Sequence, residues 1–177
     1  VNGINIPKLV QQIKKAARTH LTWQKTEDYE YIASRHWSVR TSGTAGTKVR
    51  TALYEVYGRE VTAGQALSTD GKNVRENGPD ITKIHYPESA KLAGNLTPIV
   101  ILGDGKDIRH KRFVMLDNEL LAVDNEYAEM TEDTRAFGNG GTAPIFFGQD
   151  KSLLVLPFRV EEGWEKWLNN HLPGAYK

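Results

Sequence analysis

Ile6, Leu9, Val10, Ile13, Ala16, Ala17 and Leu21 recur at helical spacing, and the opposite face of the same stretch carries Lys8, Gln11, Gln12, Lys14, Lys15 and Arg18. A helix with so wide an apolar stripe does not hold together alone in water, so the chain must supply a second layer for it to pack on. Asn5 is placed to cap this helix, and Pro7 falls in its first turn, where a missing N–H costs little. The outward face is cationic and amide-rich. Its chemistry suits a phosphate backbone.

The second layer is written as strands. Tyr29, Tyr31 and Ala33 alternate with polar neighbours, and Trp37, Val39 and Thr41 repeat the pattern, which predicts one long bent strand or a hairpin turning through Ser34, Arg35 and His36. Five more strand-like runs lie at 98–102, 112–116, 120–123, 144–147 and 152–160, separated by Gly, Asp and Asn. Val49, Ala52, Leu53, Val56 and Tyr57 mark a second amphipathic helix that Gly58 would end. A short helix is expected within 125–133, and Trp164, Trp167 and Leu168 indicate a closing helix before Pro173. From 59 to 95 periodicity fades into Gly, Asn, Asp, Pro and Ser, which predicts a long loop or short edge strands.

The expected class is therefore α+β: a mostly antiparallel sheet with two amphipathic helices and a C-terminal helix. At 177 residues the chain suits a single compact domain, 1–177, or two half-units, 1–58 and 96–177, joined by an irregular segment 59–95. The chain has no cysteine, which removes disulfides, thiolate metal sites and cysteine nucleophiles. Its N-terminus reads as a polar-faced helix in place of a secretory signal, and no apolar run reaches the ~18 residues a membrane span needs. A cytoplasmic protein with no membrane partner is the expectation.

The net charge of +1 conceals segregation. Residues 1–25 hold Lys8, Lys14, Lys15, Arg18 and Lys25 with no acid, whereas 117–133 hold Asp117, Glu119, Asp124, Glu126, Glu129, Glu132 and Asp133 with no Lys or Arg. A basic end and an acidic end predict a nucleic-acid contact at one pole, head-to-tail pairing of subunits in a homo-oligomer, or two solvated faces of a monomer.

Motifs for catalysis are sparse. His20, His36, His85, His110 and His171 include no pair at the spacing that sets two ligands on one helical face, so neither a metal nor a cofactor is expected. His36, beside Trp37, either lines a pocket or sits at the surface. Gly43-Thr44-Ala45-Gly46-Thr47-Lys48 leads into a helix like a phosphate cradle but lacks the full spacing of one. It leaves a single phosphate contact by Lys48, or a plain turn capped by Thr44.

Two resemblances go further. The segment from Leu120-Leu121-Ala122-Val123-Asp124 to Tyr127-Ala128-Glu129-Met130, then Pro144-Ile145-Phe146-Phe147, then Leu153-Leu154-Val155-Leu156-Pro157-Phe158-Arg159-Val160, resembles the closing part of DNA sliding-clamp domains. The basic helix followed by Trp37-Ser38-Val39-Arg40 looks like the opening half of the same unit. The resemblance implies a clamp-like, non-enzymatic protein of phage or plasmid type. Its helices would carry Lys8, Lys14, Lys15, Arg18, Lys48 and Arg50 toward duplex DNA, binding phosphates without reading bases. More faintly, Arg40-Thr41-Ser42 with Glu126 or Glu129 resembles part of the ADP-ribosyltransferase pattern, which implies a nucleotide-using transferase as the enzymatic alternative. A third possibility is a protein-interaction module, a viral accessory factor or inhibitor of a host protein, with exposed aromatics among Trp23, Trp37, Trp164 and Trp167 as anchors, Trp23 and Trp37 first.

Overall fold

The computed structural model describes residues 3–102, 109–158, 160, 163–171 and 174. In chain order the elements are α1 (Ile6–Ala16), β1 (Leu21–Lys25), β2 (Tyr29–Ala33), β3 (Trp37–Ser42), α2 (Thr47–Tyr57), β4 (Ala66–Thr69) and β5 (Val74–Glu76). There follow β6 (Leu92–Ile101), β7 (Lys111–Leu116), β8 (Glu119–Asp124), α3 (Asn125–Ala128), β9 (Arg135–Gly138), β10 (Ile145–Phe147), β11 (Leu153–Val155) and α4 (Trp164–His171). The class is α+β, as the patterns predict.

Among the described residues eleven strands join one sheet in the order β5-β4-β1-β2-β3-β11-β10-β9-β6-β7-β8. Every neighbouring pair is antiparallel. The strands of the first half meet those of the second where β11 pairs with β3, with Leu153 opposite Val39, Leu154 opposite Ser38 and Val155 opposite Trp37. The interval 59–95 is more regular than its composition suggests, since it supplies β4, β5, two short 3-10 turns and the start of β6.

Alternation along each strand assigns the two faces. Leu21 and Trp23, Trp37 and Val39, Val114 and Leu116, Leu121 and Val123, Ile145 and Phe147, and Leu153 and Val155 point to one side. There they form one core with Leu9, Ile13 and Ala16 of α1 and Val49, Ala52, Leu53 and Tyr57 of α2. On the other side Phe113, Leu120 and Ala122 pack under Leu168 and Trp164 of α4, and Tyr31 and Ala33 pack under Ile81. The sheet is thus covered by α1 and α2 on one face. On the other face α4 covers the β7–β8 end, and the segment around 81–89 lies over the middle strands β1, β2, β3 and β10.

Asn5 caps α1, accepting from the Lys8 N–H at 3.2 Å, and Pro7 occupies the first turn. Gly58 ends α2 with φ 68°, in the left-handed region where a Cβ is unfavourable. Leu21, which continues the helical spacing of α1, instead opens β1 and alternates with Trp23 against the same core.

Candidate nucleic-acid interface

The helix layer holds all six cations that the sequence singles out for nucleic acid, and most of them have partners. Lys8 donates to Glu129 at 2.5 Å, and Lys15 donates to both oxygens of Glu126 at 2.7 and 2.9 Å. Gln12 adds a bond to Glu126 at 3.3 Å. Lys14 lies 3.3 Å from Glu55, and Arg50 pairs with Glu60. Arg18 and Lys48 are exposed and make no ion pair among the described residues.

This geometry corrects the picture of two separate charged poles. Asp124 caps α3 by accepting from the Glu126 N–H at 2.9 Å, which turns Glu126 and Glu129 toward α1. Asn125 donates to Glu129 at 3.0 Å and steadies it further. Two cations of the basic helix, Lys8 and Lys15, are therefore paired within one chain with two carboxylates of the acidic run, Glu129 and Glu126. The hydrogen bonds from Lys15 hold the Glu126 carboxyl below its ordinary pKa, whereas burial pushes Asp124 up. Side chains in these four pairs are between 38 and 58% exposed, which makes them surface pairs worth ~0–1 kcal/mol each and open to exchange.

Trp23 and Trp37 are not surface anchors. They are 1% and 2% exposed, both in the helix-side core, because each occupies an inward position of its strand. Trp23 Nε1 donates to Glu30 at 2.7 Å, and the other Glu30 oxygen accepts from the Ala45 N–H at 2.5 Å. That second bond also settles the glycine-rich turn. The amide of Ala45 faces an internal carboxylate, and the cap of α2 is Gly46, with no side-chain bond from Thr44.

The transferase pattern is not assembled either. The Arg40 guanidinium lies 4.7 Å from the Tyr29 ring centroid, donates to the Asp150 carbonyl at 3.3 Å and sits 3.9 Å from Glu88. This is the sheet face opposite the helices, because Arg40 alternates with the inward Val39. Glu126 and Glu129 are held by α1 on the helix side.

A hydroxyl–imidazole pair that the sequence does not announce lies on that opposite face. Ser38 Oγ is 2.6 Å from His85 Nδ1, and His85 Nε2 is 2.9 Å from the Lys151 carbonyl. A carbonyl only accepts, so Nε2 carries the proton and Nδ1 receives the Ser38 hydroxyl. The pairing mimics an activated nucleophile. Both residues are only 2% exposed, however, and burial lowers the histidine pKa to about 4, so the pair pins the segment around 81–89 to the sheet and does not meet a substrate.

One open cleft adjoins the interface. It encloses about 330 Å³ between the C-terminal part of α1, the turn joining β2 to β3, and α3. Lys15, Thr19, Ser34, Arg35, His36 and Tyr127 line it, with Trp37 and Glu126 also in its wall. His36 and Tyr127 lie nearly parallel, 15° between planes, with ring centroids 6.3 Å apart.

No family model, curated protein or solved structure matches the chain.

Of the interface geometry, the cations were visible in sequence because a helical period sorts them onto one face. Their carboxylate partners were not, since Glu126 and Glu129 lie 111 and 121 positions from Lys15 and Lys8. His85 stands alone in an irregular segment, and nothing local marks its link to Ser38, 47 positions away. Among the described residues no three His, Asp or Glu side chains gather to hold a metal, and no helix is long and apolar enough to cross a membrane.

Proposed function

We propose that the chain acts by binding, with the phosphate backbone of duplex DNA as its partner and the α1–α2 layer as its contact surface. The observation that carries this reading is the gathering of Lys8, Lys14, Lys15, Lys48 and Arg50 on two helices that share one face of one sheet, with Arg18 in the turn that follows α1. Arg18 and Lys48 offer charge directly. The other four cations exchange an exposed carboxylate for a phosphate oxygen at little cost, because their present pairs are weak. The proposed contacts are to phosphates and not to base edges, so the binding would be independent of sequence.

The test is anisotropy of a labelled duplex over a salt series, with the wild type and a Lys14→Glu, Lys15→Glu, Arg18→Glu variant whose fold is checked by circular dichroism. Each phosphate contact adds about 0.9 to the slope of log affinity against log salt. The folded variant is expected to bind about tenfold or more weakly at low salt, with a shallower slope. Equal binding by variant and wild type, or no wild-type binding at low salt, removes the proposal. The protein-interaction alternative loses Trp23 and Trp37 but keeps Trp167, which is 45% exposed and stacked on His171 with centroids 4.5 Å apart.

A further inference from the structure

The cleft beside α1 is lined by two chemically different sets of groups. His36 and Tyr127 supply aromatic rings whose planes are nearly parallel, with 6.3 Å between centroids. Lys15, Arg35 and the hydroxyl-bearing Thr19 and Ser34 supply cationic and hydrogen-bonding groups. Glu126 in the wall is already met by Lys15 and Gln12, so that pair is close to neutral. Arg35 makes no ion pair among the described residues and is exposed, which leaves the cleft with an uncompensated positive charge.

A cavity of about 330 Å³ is at the small end of ligand sites, the size for one compact molecule and too small for a folded partner. An isolated anion would leave the aromatic side unused, and a neutral aromatic would leave Arg35 unused. A flat heterocycle carrying a phosphate uses both, since every nucleobase has a π-face that stacks without regard to sequence. We propose that this cleft binds a single nucleotide, with its base against His36 and Tyr127 and its phosphate at Arg35, flanked by Lys15, Thr19 and Ser34. Lys15 adjoins both the helix layer and the cleft, but Arg35, His36 and Tyr127 lie outside the six cations of the duplex reading, so a nucleotide can occupy the cleft whether or not the helix layer holds DNA.

Calorimetric titration tests this with adenosine, guanosine, cytidine and uridine monophosphates, with the matching nucleosides and inorganic phosphate as separate arms. The wild type is expected to bind the monophosphates saturably, and more tightly than either part alone. Arg35→Ala is expected to weaken monophosphate binding about tenfold, and His36→Ala less, while neither changes the fold because both side chains are exposed. A 5′-phosphorylated trinucleotide identifies the source: tighter binding than the free monophosphate assigns the cleft to a strand end, and weaker binding assigns it to a free nucleotide. The proposal fails if no monophosphate binds at about 5 mM. It also fails if inorganic phosphate binds as tightly as the nucleotides, or if both variants bind as the wild type does.

Discussion

Glu30 is 1% exposed on the helix-covered face of β2, among Trp23, Ala45 and their apolar neighbours. A carboxylate survives there because each oxygen has its own donor, the Trp23 indole and the Ala45 amide. It links β1 to the turn before α2. Glu30→Ala strands both donors in a dry interior, at ~1–3 kcal/mol each, and is expected to lower stability by about 3 kcal/mol in urea unfolding. His85 offers the complementary case of a base buried neutral. Burial is the main cause of its lowered pKa, the Arg40 charge adds to the effect, and the Lys151 carbonyl and Glu88 oppose it. Unfolded, the ring takes up a proton near pH 6.5, whereas folded it does so only near 4, so its contribution to stability is complete above 6.5 and is lost as pH falls toward 4. Between pH 7.5 and 5 that loss amounts to about 2 kcal/mol. The measurement is the urea midpoint at both pH values in wild type and His85→Gln: the variant is less stable at pH 7.5 and shows a pH dependence smaller by that amount. Asp124, whose buried carboxyl titrates high, does so in both proteins and cancels from the comparison.

At the scale of elements the two halves of the sheet meet at β11, three residues long, which holds β3 on one side and β10 on the other. Leu153 sits at its start with no exposed surface and lies in the helix-side core. Leu153→Ala removes buried methyls where sheet neighbours restrict collapse, and is expected to cost about 3 kcal/mol. Because the joint is continuous with both halves, amide exchange should rise together in β2 and β7; a rise confined to β10 and β11 would show that the halves do not share one cooperative unit. Elements with a long period, such as α1, α2, the β2–β3 hairpin, β7 and β8, could be read from the sequence, since several inward residues repeat in each. β1 could not, because Leu21 also fits the next turn of α1. β4, β5 and β9 have three or four residues each, too few for alternation to show. The start of β6 reads as a turn because of Gly94 and Asn95, yet the absent Cβ at Gly94 is what lets the strand lie against the Met115 carbonyl of β7.

At the scale of the whole molecule, what matters is how the two charged runs are spent. Sequence places positive charge on α1 and negative charge on 117–133, and composition alone cannot say whether they meet. The fold brings them together by seating α3 beside α1, where Glu126 and Glu129 occupy Lys15 and Lys8. If the helix layer holds DNA, these carboxylates compete with phosphates for the same ammonium groups and temper the affinity. Glu126→Gln with Glu129→Gln removes the competitors while keeping hydrogen-bond acceptors of nearly the same shape. Each lost pair is a surface pair, so the double variant is expected to lose no more than about 1–2 kcal/mol of stability. Two cations become available to the backbone, so duplex binding should tighten and the slope of log affinity against log salt should steepen by up to ~1.8, at about 0.9 per phosphate engaged. A slope and affinity equal to wild type would mean that Lys8 and Lys15 do not face the duplex, leaving Lys14, Arg18, Lys48 and Arg50 to carry any contact.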